Sequence, residues 1–358
     1  MALASILGRL FSPGVHTARP VSRADGPHKN LLVALIADDF TRTCLEHECR
    51  VINVTPQNYE TALAHYKPDL LFVESAWFGY RRAWQRRIAS YPDRPDPGNA
   101  DLVRVVEFAK DRGVPAVFWN KEDPVHFERF IDSARLFDVI FTVDANSVDR
   151  YKRAIGRPVR VHPLMFGVSR AVHNFTGIGA RRPRACFVGS YSRHIHDTRR
   201  ARQKMLLEAA ATTLPLDIYD RNSDRLSDNY RYPYLPNTVI HSRVRHEKTA
   251  SLYKKYLVSL NVNTVDDSDT MFSRRLVEII ACGGLAVTTP ARAAEKWFRE
   301  YCYIVDSADE AKELFARLKR DGYSTKDLEM MREGASLVAR QHTYTQRLDT
   351  VLEVLRTV

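Results

Sequence analysis

From Leu31 the chain alternates short apolar runs with segments of helical period, each run short enough to be a strand buried on both faces. LLVALIA, RVINV, LLFVES, PAVFWN, DVIFTV and VRVHP read as six strands. The spacing predicts helices between them over 40–48, 59–65, 101–111, 125–136 and 146–154. Such βα repetition builds a doubly wound parallel sheet. After Pro163 the stretch LMFGVSRAVHNFTGIGARRPR has no clear period and reads as a linker. A second series follows: ACFVG, a helix from about Asp197, LDIYD, TVIHS, a helix over 247–256, LVSLNVN, a helix within FSRRLVEIIACGG, LAVTT, a helix over 291–299, and CYIVD. Helices dominate the remainder, and the last, over 344–355, is placed to return to the first domain. The expected organisation is a flexible segment 1–29, a Rossmann-like domain 30–165, a linker 166–184, a second Rossmann-like domain 185–342 and a crossing helix 343–358. Open parallel sheets bind ligands at the carboxyl ends of their strands, here Asp38, Asp39, Glu74 and the run 120–123.

Composition agrees with two globular domains. A hydrophobic share of 44% and a charged share of 27% over 358 residues are ordinary for folded chains, and no run of eighteen apolar residues occurs. The formal net charge of +11 favours an acidic partner: a nucleotide diphosphate, an anionic membrane or nucleic acid. The five cysteines have no metal-ligand spacing and mostly lie in apolar segments, which suggests reduced structural thiols in a cytoplasmic protein. The first 29 residues carry basic residues, Pro and Gly with one acid, Asp25. No charged n-region precedes their apolar part, so a cleaved signal is not expected. A short membrane-surface helix with Leu3, Ile6, Leu7 and Leu10 on one face and Arg9 at its edge is the alternative to a frayed terminus.

One helix start conflicts with its own electrostatics. In FSRRLVEIIACGG the apolar residues Leu276, Val277, Ile279, Ile280 and Ala281 bury most of a helix that ends at Gly283 and Gly284. Its first turn carries Arg274 and Arg275, the wrong sign for the positive end of a helix dipole. A bound anion would remove the conflict, because exposed N–H groups, dipole and guanidinium groups all favour phosphate. The competing account, a plain Arg274 to Glu278 pair on a partly solvated face, has equal weight on local sequence. No strand is followed by G-x-G-x-x-G, which argues against a standard dinucleotide dehydrogenase.

The segment NVNTVDDSDTMFSRRLVEIIACGGLAVTT, with FVGSYS upstream and FWNKEDPVHF in the first half, resembles the CgeB-like, spore-maturation group of glycosyltransferases within the GT-B superfamily. The resemblance runs from about Leu31 and is strongest in the C-terminal half. It implies an α/β fold of two Rossmann-like parallel-sheet domains facing a cleft, with the acceptor on the N-terminal domain and a nucleotide-sugar donor on the C-terminal one. It further implies that Glu278 accepts hydrogen bonds from the donor ribose. Backbone N–H groups of Met271, Phe272, Ser273 and Arg274 would meet the diphosphate, with charge from Arg274 or Arg275. The position eight before Glu278 is Thr270, a departure from the E-x7-E pattern of many such enzymes, so Thr270, Asp269 or a backbone group would contact the sugar.

The loop GSYSRHIHDTRR lies between a strand and a helix, where Gly189 and Ser190 permit close backbone approach and Arg193 can reach a phosphate. Arg199, Arg200 and Arg202 read as the helix's solvated face, capped by Asp197. For the nucleotide base the candidates are Val244 in HSRVRHEKT and Tyr219 at the end of LDIYD. Asp267-Ser268-Asp269 spells a D-x-D metal signature but precedes a helix, and a solvated loop is the better account. The five histidines His173, His194, His196, His241 and His246 form no compact zinc pattern, so no metal and no obligatory cofactor is expected. Asp123-Pro124 reads as a helix start, which leaves Glu122 as the candidate general base of an inverting transfer, ahead of Asp38, Asp39, Glu74 and His126.

The expected activity is therefore sugar transfer to a cell-surface polysaccharide, lipid-linked glycan or related acceptor. The expected location is the cytoplasm, with peripheral contact at the inner face of an anionic membrane. Two alternatives stand beside it: a noncatalytic basic module binding nucleic acid or membrane, and a glycosyltransferase acting on modified DNA. Nucleic acid is the less favoured partner, on the expectation that no compact stretch interleaves aromatic and basic residues.

Overall fold

A computed structural model describes residues 18–93 and 98–357, and the chain divides into two compact units, 1–165 with 344–358, and 166–343. The first unit is built on six strands: β1 Leu32–Ile36, β2 Arg50–Asn53, β3 Leu70–Glu74, β4 Ala116–Asn120, β5 Val139–Thr142 and β6 Arg160–Pro163. They pair in parallel in the order β2-β1-β3-β4-β5-β6. The order reverses between β1 and β3. At such a point the loops that leave neighbouring carboxyl ends diverge to opposite sides and open a crevice.

Helices α1 Asp39–Glu46, α2 Ala100–Asp111, α3 Phe127–Ala134 and α4 Val148–Ile155 cover this sheet. Helix α2 buries Leu102, Val105, Val106 and Ala109, the i, i+3, i+4, i+7 face that the sequence spacing predicts. Each large side chain so buried contributes about 1.5–3 kcal/mol. The helix expected over 59–65 is a single wide turn, Thr61–His65. Helix α3 starts at Phe127 and not at Asp123. Asp123 is fully buried and accepts hydrogen bonds from Asn120, Thr142 and Tyr151, so its carboxyl joins strand ends instead of capping the helix. Burial pushes this carboxyl up to about 7 against those hydrogen bonds.

The described part of the segment expected to be flexible, 18–29, is tied to the first unit. Ala18 is buried, Val21 bridges Val51, and His28 meets Asp349 at 3.0 Å. The surface helix considered around Leu3 to Leu10 lies outside the described residues.

The second unit repeats the architecture with β7 Arg182–Gly189, β8 Leu216–Asp220, β9 Thr238–His241, β10 Tyr256–Asn261, β11 Ala286–Thr288 and β12 Tyr303–Ile304. These strands are parallel in the order β12-β11-β10-β7-β8-β9, so the reversal falls between β7 and β10. Its helices are α5 Asp197–Thr213, α6 His246–Tyr253, α7 Arg274–Ala281, α8 Arg292–Phe298, α9 Ala308–Asp321 and α10 Thr325–Gln341. Residues 166–181 are held within this unit. Val168 bridges Thr343, and Arg181 donates to the carbonyls of Tyr253 and Gly283 at 2.9 and 2.8 Å. A capping box, Ser324 with Asp327, starts α10.

The last helix, α11 Tyr344–Arg356, belongs to the first unit. Thr345 donates to Glu48 at 2.7 Å, Arg347 to the Met165 carbonyl at 2.7 Å, and Arg160 to the Val354 carbonyl at 2.9 Å. Both units are thus α/β, each a parallel sheet flanked by helices.

Candidate functional site

The reversal between β7 and β10 is filled by the start of α7. Two polar side chains shape the approach: Asn263 Oδ1 accepts from the Ser273 N–H, and Ser268 Oγ accepts from the N–H groups of Thr270 and Met271. Phe272 is buried and packs edge-on against Phe166 and Phe298. These contacts hold the turn, and the Ser273 hydroxyl caps none of the first-turn N–H groups. That helix end keeps its positive partial charge.

Arg275 bridges the two strands at the reversal. Its Nε donates to the Val188 carbonyl at 2.5 Å, its Nη1 to Asn261 Oδ1 at 3.1 Å, and its guanidinium lies 4.6 Å from the Phe187 ring centroid. Burial lowers its pKa. Gly189 is required beside it, since a Cβ there would lie 2.5 Å from the Phe187 ring and 2.9 Å from Arg275 Nη2. Two of the three guanidinium nitrogens expected to meet a diphosphate are therefore committed to the fold. Arg275 is chiefly a positioning residue.

Arg274, one residue earlier, points its Nε at Glu278 Oε1, 2.8 Å away. The Tyr253 hydroxyl donates to Glu278 Oε2 at 3.3 Å. Burial alone would raise the Glu278 pKa, but Arg274 and the neighbouring His173 and His246 outweigh it and hold the carboxyl at about 2. Around this one carboxylate stand further arginines. Arg221, just past β8, has its pKa lowered by desolvation and then by Arg274 and Arg275, yet its side chain is open to solvent. Arg199 is half-buried and donates to Gln203 and the Ser190 carbonyl, its pKa lowered by burial and then by Arg221. It is not part of the solvated helix face expected from sequence, whereas Arg200 and Arg202 pair with Asp197 and Asp266. Arg221, Arg274 and Arg275 around one glutamate, with Arg199 next to Arg221 and Arg275, leave an excess of positive charge beside an uncapped helix start. An anion of phosphate type matches both.

Gly189, Ser190, Arg274, Arg275 and Glu278 come together here; other sequence candidates do not. Arg193 is exposed, and its backbone links Asn229 and Arg200. Tyr219 hydrogen-bonds Tyr256, which reaches Asp217, while its ring stacks on His241 at 4.6 Å. That is a structural polar network and not a free stacking surface. Val244 is half-buried in the loop between β9 and α6. Thr270 is half-buried, and Asp269 is held by Arg292 and Lys296 at 2.8 and 3.1 Å. Phe272 serves the core, and the N–H groups of Met271 and Ser273 are already used within the turn.

In the first unit Glu122 is half-buried just past β4, and its N–H donates to Asn120. Asp38 accepts from the N–H groups of Trp77, Phe78 and Gly79, and buried Glu74 pairs with Lys121. Both are structural. His126 packs edge-on against Trp77 at 5.3 Å, and burial lowers its pKa.

Sequence reasoning missed Arg221 and the pairing of His173 with His246, whose rings lie 4.8 Å apart beside Glu278. Ligand atoms of His173, His246 and Glu278 lie within 4.8 Å of one another, the group among the described residues that could hold a metal. Arg274 already occupies that carboxylate, and the surrounding guanidinium charge repels a cation. Burial lowers the pKa of both histidines, that of His246 to about 3, so they are neutral hydrogen-bonding groups at ordinary pH.

Residues 199–353 match the model of a family described as glycosyl transferase-like. No curated protein matches the chain. Solved structures align over nearly the whole length at low identity. One is an alpha-glucosyltransferase in complex with UDP and a 13-mer DNA containing a central A:G mismatch, at 10% identity and TM-score 0.62, over 91% of this chain and 98% of that one. The alpha-glucosyltransferase in complex with UDP aligns at TM-score 0.61 with the same identity and coverage. HepE from Anabaena, in complex with UDP, aligns at 13% identity and TM-score 0.52, over 91% and 92%. These likenesses concern the two-sheet fold, and the family match covers most of the second unit. Together they show a GT-B-type fold of two parallel-sheet units, with a glycosyl transferase-like segment over residues 199–353.

Proposed function

We propose that the chain moves a sugar from a nucleotide-diphosphate donor held by the second unit to a glycan acceptor held by the first, the acceptor being a surface polysaccharide or lipid-linked glycan. The observation that carries the donor reading is the pairing of an uncapped α7 start with Arg221 and Arg274 at the β7/β10 reversal. Charge develops on the leaving diphosphate during transfer. Oriented N–H groups and guanidinium groups stabilise it without reorganising, commonly the largest single catalytic effect. Glu278, held ionised, is suited to accept hydrogen bonds from ribose hydroxyls. UDP in the related structures supports a nucleotide of this class. Glu122 is the proposed base, taking the proton from an acceptor hydroxyl in an inverting transfer.

Thermal unfolding with UDP, GDP, dTDP, CMP and ADP tests the donor reading. A ligand at about a hundred times its dissociation constant adds roughly 2.7 kcal/mol to stability. Selective stabilisation by one diphosphate, lost in Arg221→Ala, is the expected result. No response to any nucleotide would remove the reading. The net charge of +11 and the DNA in one related structure favour a second acceptor, modified DNA, which duplex binding at physiological salt would support.

A further inference from the structure

The first unit carries a second basic feature at its own strand-order reversal, in the loop WFGYRRAWQRR that leaves β3. Asp38, at the end of β1, accepts from the N–H groups of Trp77, Phe78 and Gly79 at 3.0, 2.9 and 2.7 Å, so the loop is pinned across the crevice between β1 and β3. Trp84 plugs it into the core: fully buried, its indole N–H donates to the Val54 carbonyl at 2.7 Å. Gly79, at φ 65°, makes room, because a Cβ there would lie 2.6 Å from the Trp84 ring.

On this fixed base the chain bends outward at strained positions. Arg81, Arg82 and Arg86 have φ of 50°, 64° and 61°, a left-handed region that costs a non-glycine residue about 1 kcal/mol or more. All three side chains are exposed, and none has a carboxylate partner among the described residues. Their guanidinium groups lie over rings of the same loop: Arg81 over Tyr80 at 5.3 Å, Arg82 over Phe78 at 4.3 Å and Arg86 over Tyr91 at 5.7 Å. The nearby acids are engaged elsewhere, Asp38 by backbone N–H groups and Glu74 by Lys121. Arg82 Nε also donates to Gln85 at 3.2 Å, but strain, guanidinium charge without a carboxylate partner among the described residues and the crevice at the reversal coincide.

We infer that this loop is the acceptor subsite and that the acceptor is an anionic glycan, with its acidic groups on Arg81, Arg82 and Arg86 and an apolar sugar face on Phe78. The inference rests on the glycosyltransferase reading and adds the acceptor's charge to it. Ring exposure favours glycan over nucleic acid. Base stacking needs free aromatic faces, but Trp84 is buried, Trp77 packs against His126 and Phe130, and Tyr80 lies under Arg42 and Arg81. Phe78 alone is well exposed, at 41%, with the Arg82 guanidinium over one face of its ring and the other face left for an apolar sugar contact. The acidic group on the glycan is either a carboxylate or a phosphodiester.

The test is fluorescence anisotropy with four labelled probes: a uronate oligosaccharide, a glycerol-phosphate oligomer, a neutral maltooligosaccharide and a 20-base-pair DNA duplex. The loop variant is Arg81→Asn, Arg82→Asn, Arg86→Asn, since Asn tolerates the left-handed backbone and keeps the loop folded. A control removes three exposed charges from the second unit: Lys255→Asn, Lys326→Asn, Arg332→Asn. The expected result is that the parent binds one anionic oligosaccharide at least tenfold more tightly than the neutral one, and that the loop variant alone loses this preference. Which anionic probe wins identifies carboxylate or phosphodiester. No preference over the neutral probe, an equal loss in the control, or tighter loop-dependent binding of duplex DNA would each overturn the inference. Stabilisation by UDP, measured on the same samples, reports the donor reading separately. If UDP stabilises the parent and the loop variant alike while the anionic preference is missing, only the acceptor inference falls.

Discussion

Arg275 Nε lies 2.5 Å from the Val188 carbonyl, while Nη1 of the same guanidinium reaches Asn261, so one side chain joins the two strands between which the sheet order reverses. Replacing it removes a buried charge and takes the Arg275 donors away from the Val188 carbonyl and Asn261 Oδ1. Arg275→Ala is expected to destabilise the protein by about 2–5 kcal/mol in urea unfolding. Arg221→Ala, at an exposed position, is expected to change stability by no more than about 0.5 kcal/mol while weakening nucleotide binding roughly tenfold or more. Similar stability losses in both variants would contradict this division between a positioning and a binding arginine.

Gly189→Ala is expected to cost about 1–3 kcal/mol, because its methyl group meets the Phe187 ring and Arg275 Nη2 within 3 Å. Nucleotide affinity should fall with it, since the displaced groups position α7. A fully stable Gly189→Ala protein would show that the close approach is not needed.

Acid should destabilise the second unit in two stages. His246 is held at about 3 in place of 6.5, and Glu278 at about 2 in place of 4.5. In both cases the unfolded chain binds the proton more readily, so their stabilising contribution is complete above about pH 6.5 and is lost as pH falls. The Glu278 part, roughly 3 kcal/mol, disappears between 4.5 and 2. His246→Asn should flatten the upper stage and Glu278→Gln the lower one, as read from urea midpoints against pH.

Glu122→Gln should leave nucleotide-induced stabilisation intact and reduce transfer by about 10²-fold or more if Glu122 is the base. Equal loss of both would return Glu122 to a structural role. Excess chelator should leave nucleotide stabilisation unchanged, because Arg274 holds the Glu278 carboxylate at 2.8 Å. Recovery on adding Mn²⁺ after a chelator-induced loss would reverse this.

Strands and helices were legible because their signals are local. A parallel strand buried on both faces is a continuous apolar run, and a covering helix has a fixed period, so the helix expected over 101–111, found as Ala100–Asp111, and the six first-unit strands follow from the apolar pattern. The conflict at Arg274 and Arg275 was visible too, as two positive charges at a positive helix end. Its resolution was not: consecutive helix residues point about 100° apart, which turns Arg275 into the core and leaves Arg274 with Glu278. Arg221 carried no local signal, since it reaches the site only through the pairing of β7 with β8. The loop after β3, WFGYRRAWQRR, does interleave aromatic and basic residues, against the expectation that no compact stretch would, yet its meaning depends on strand order, which places it at a reversal, and on Trp84 and Asp38, which fix it there. Residue type and period thus determine which elements form. The long-range pairing of those elements decides which charges remain unneutralised, and where they meet.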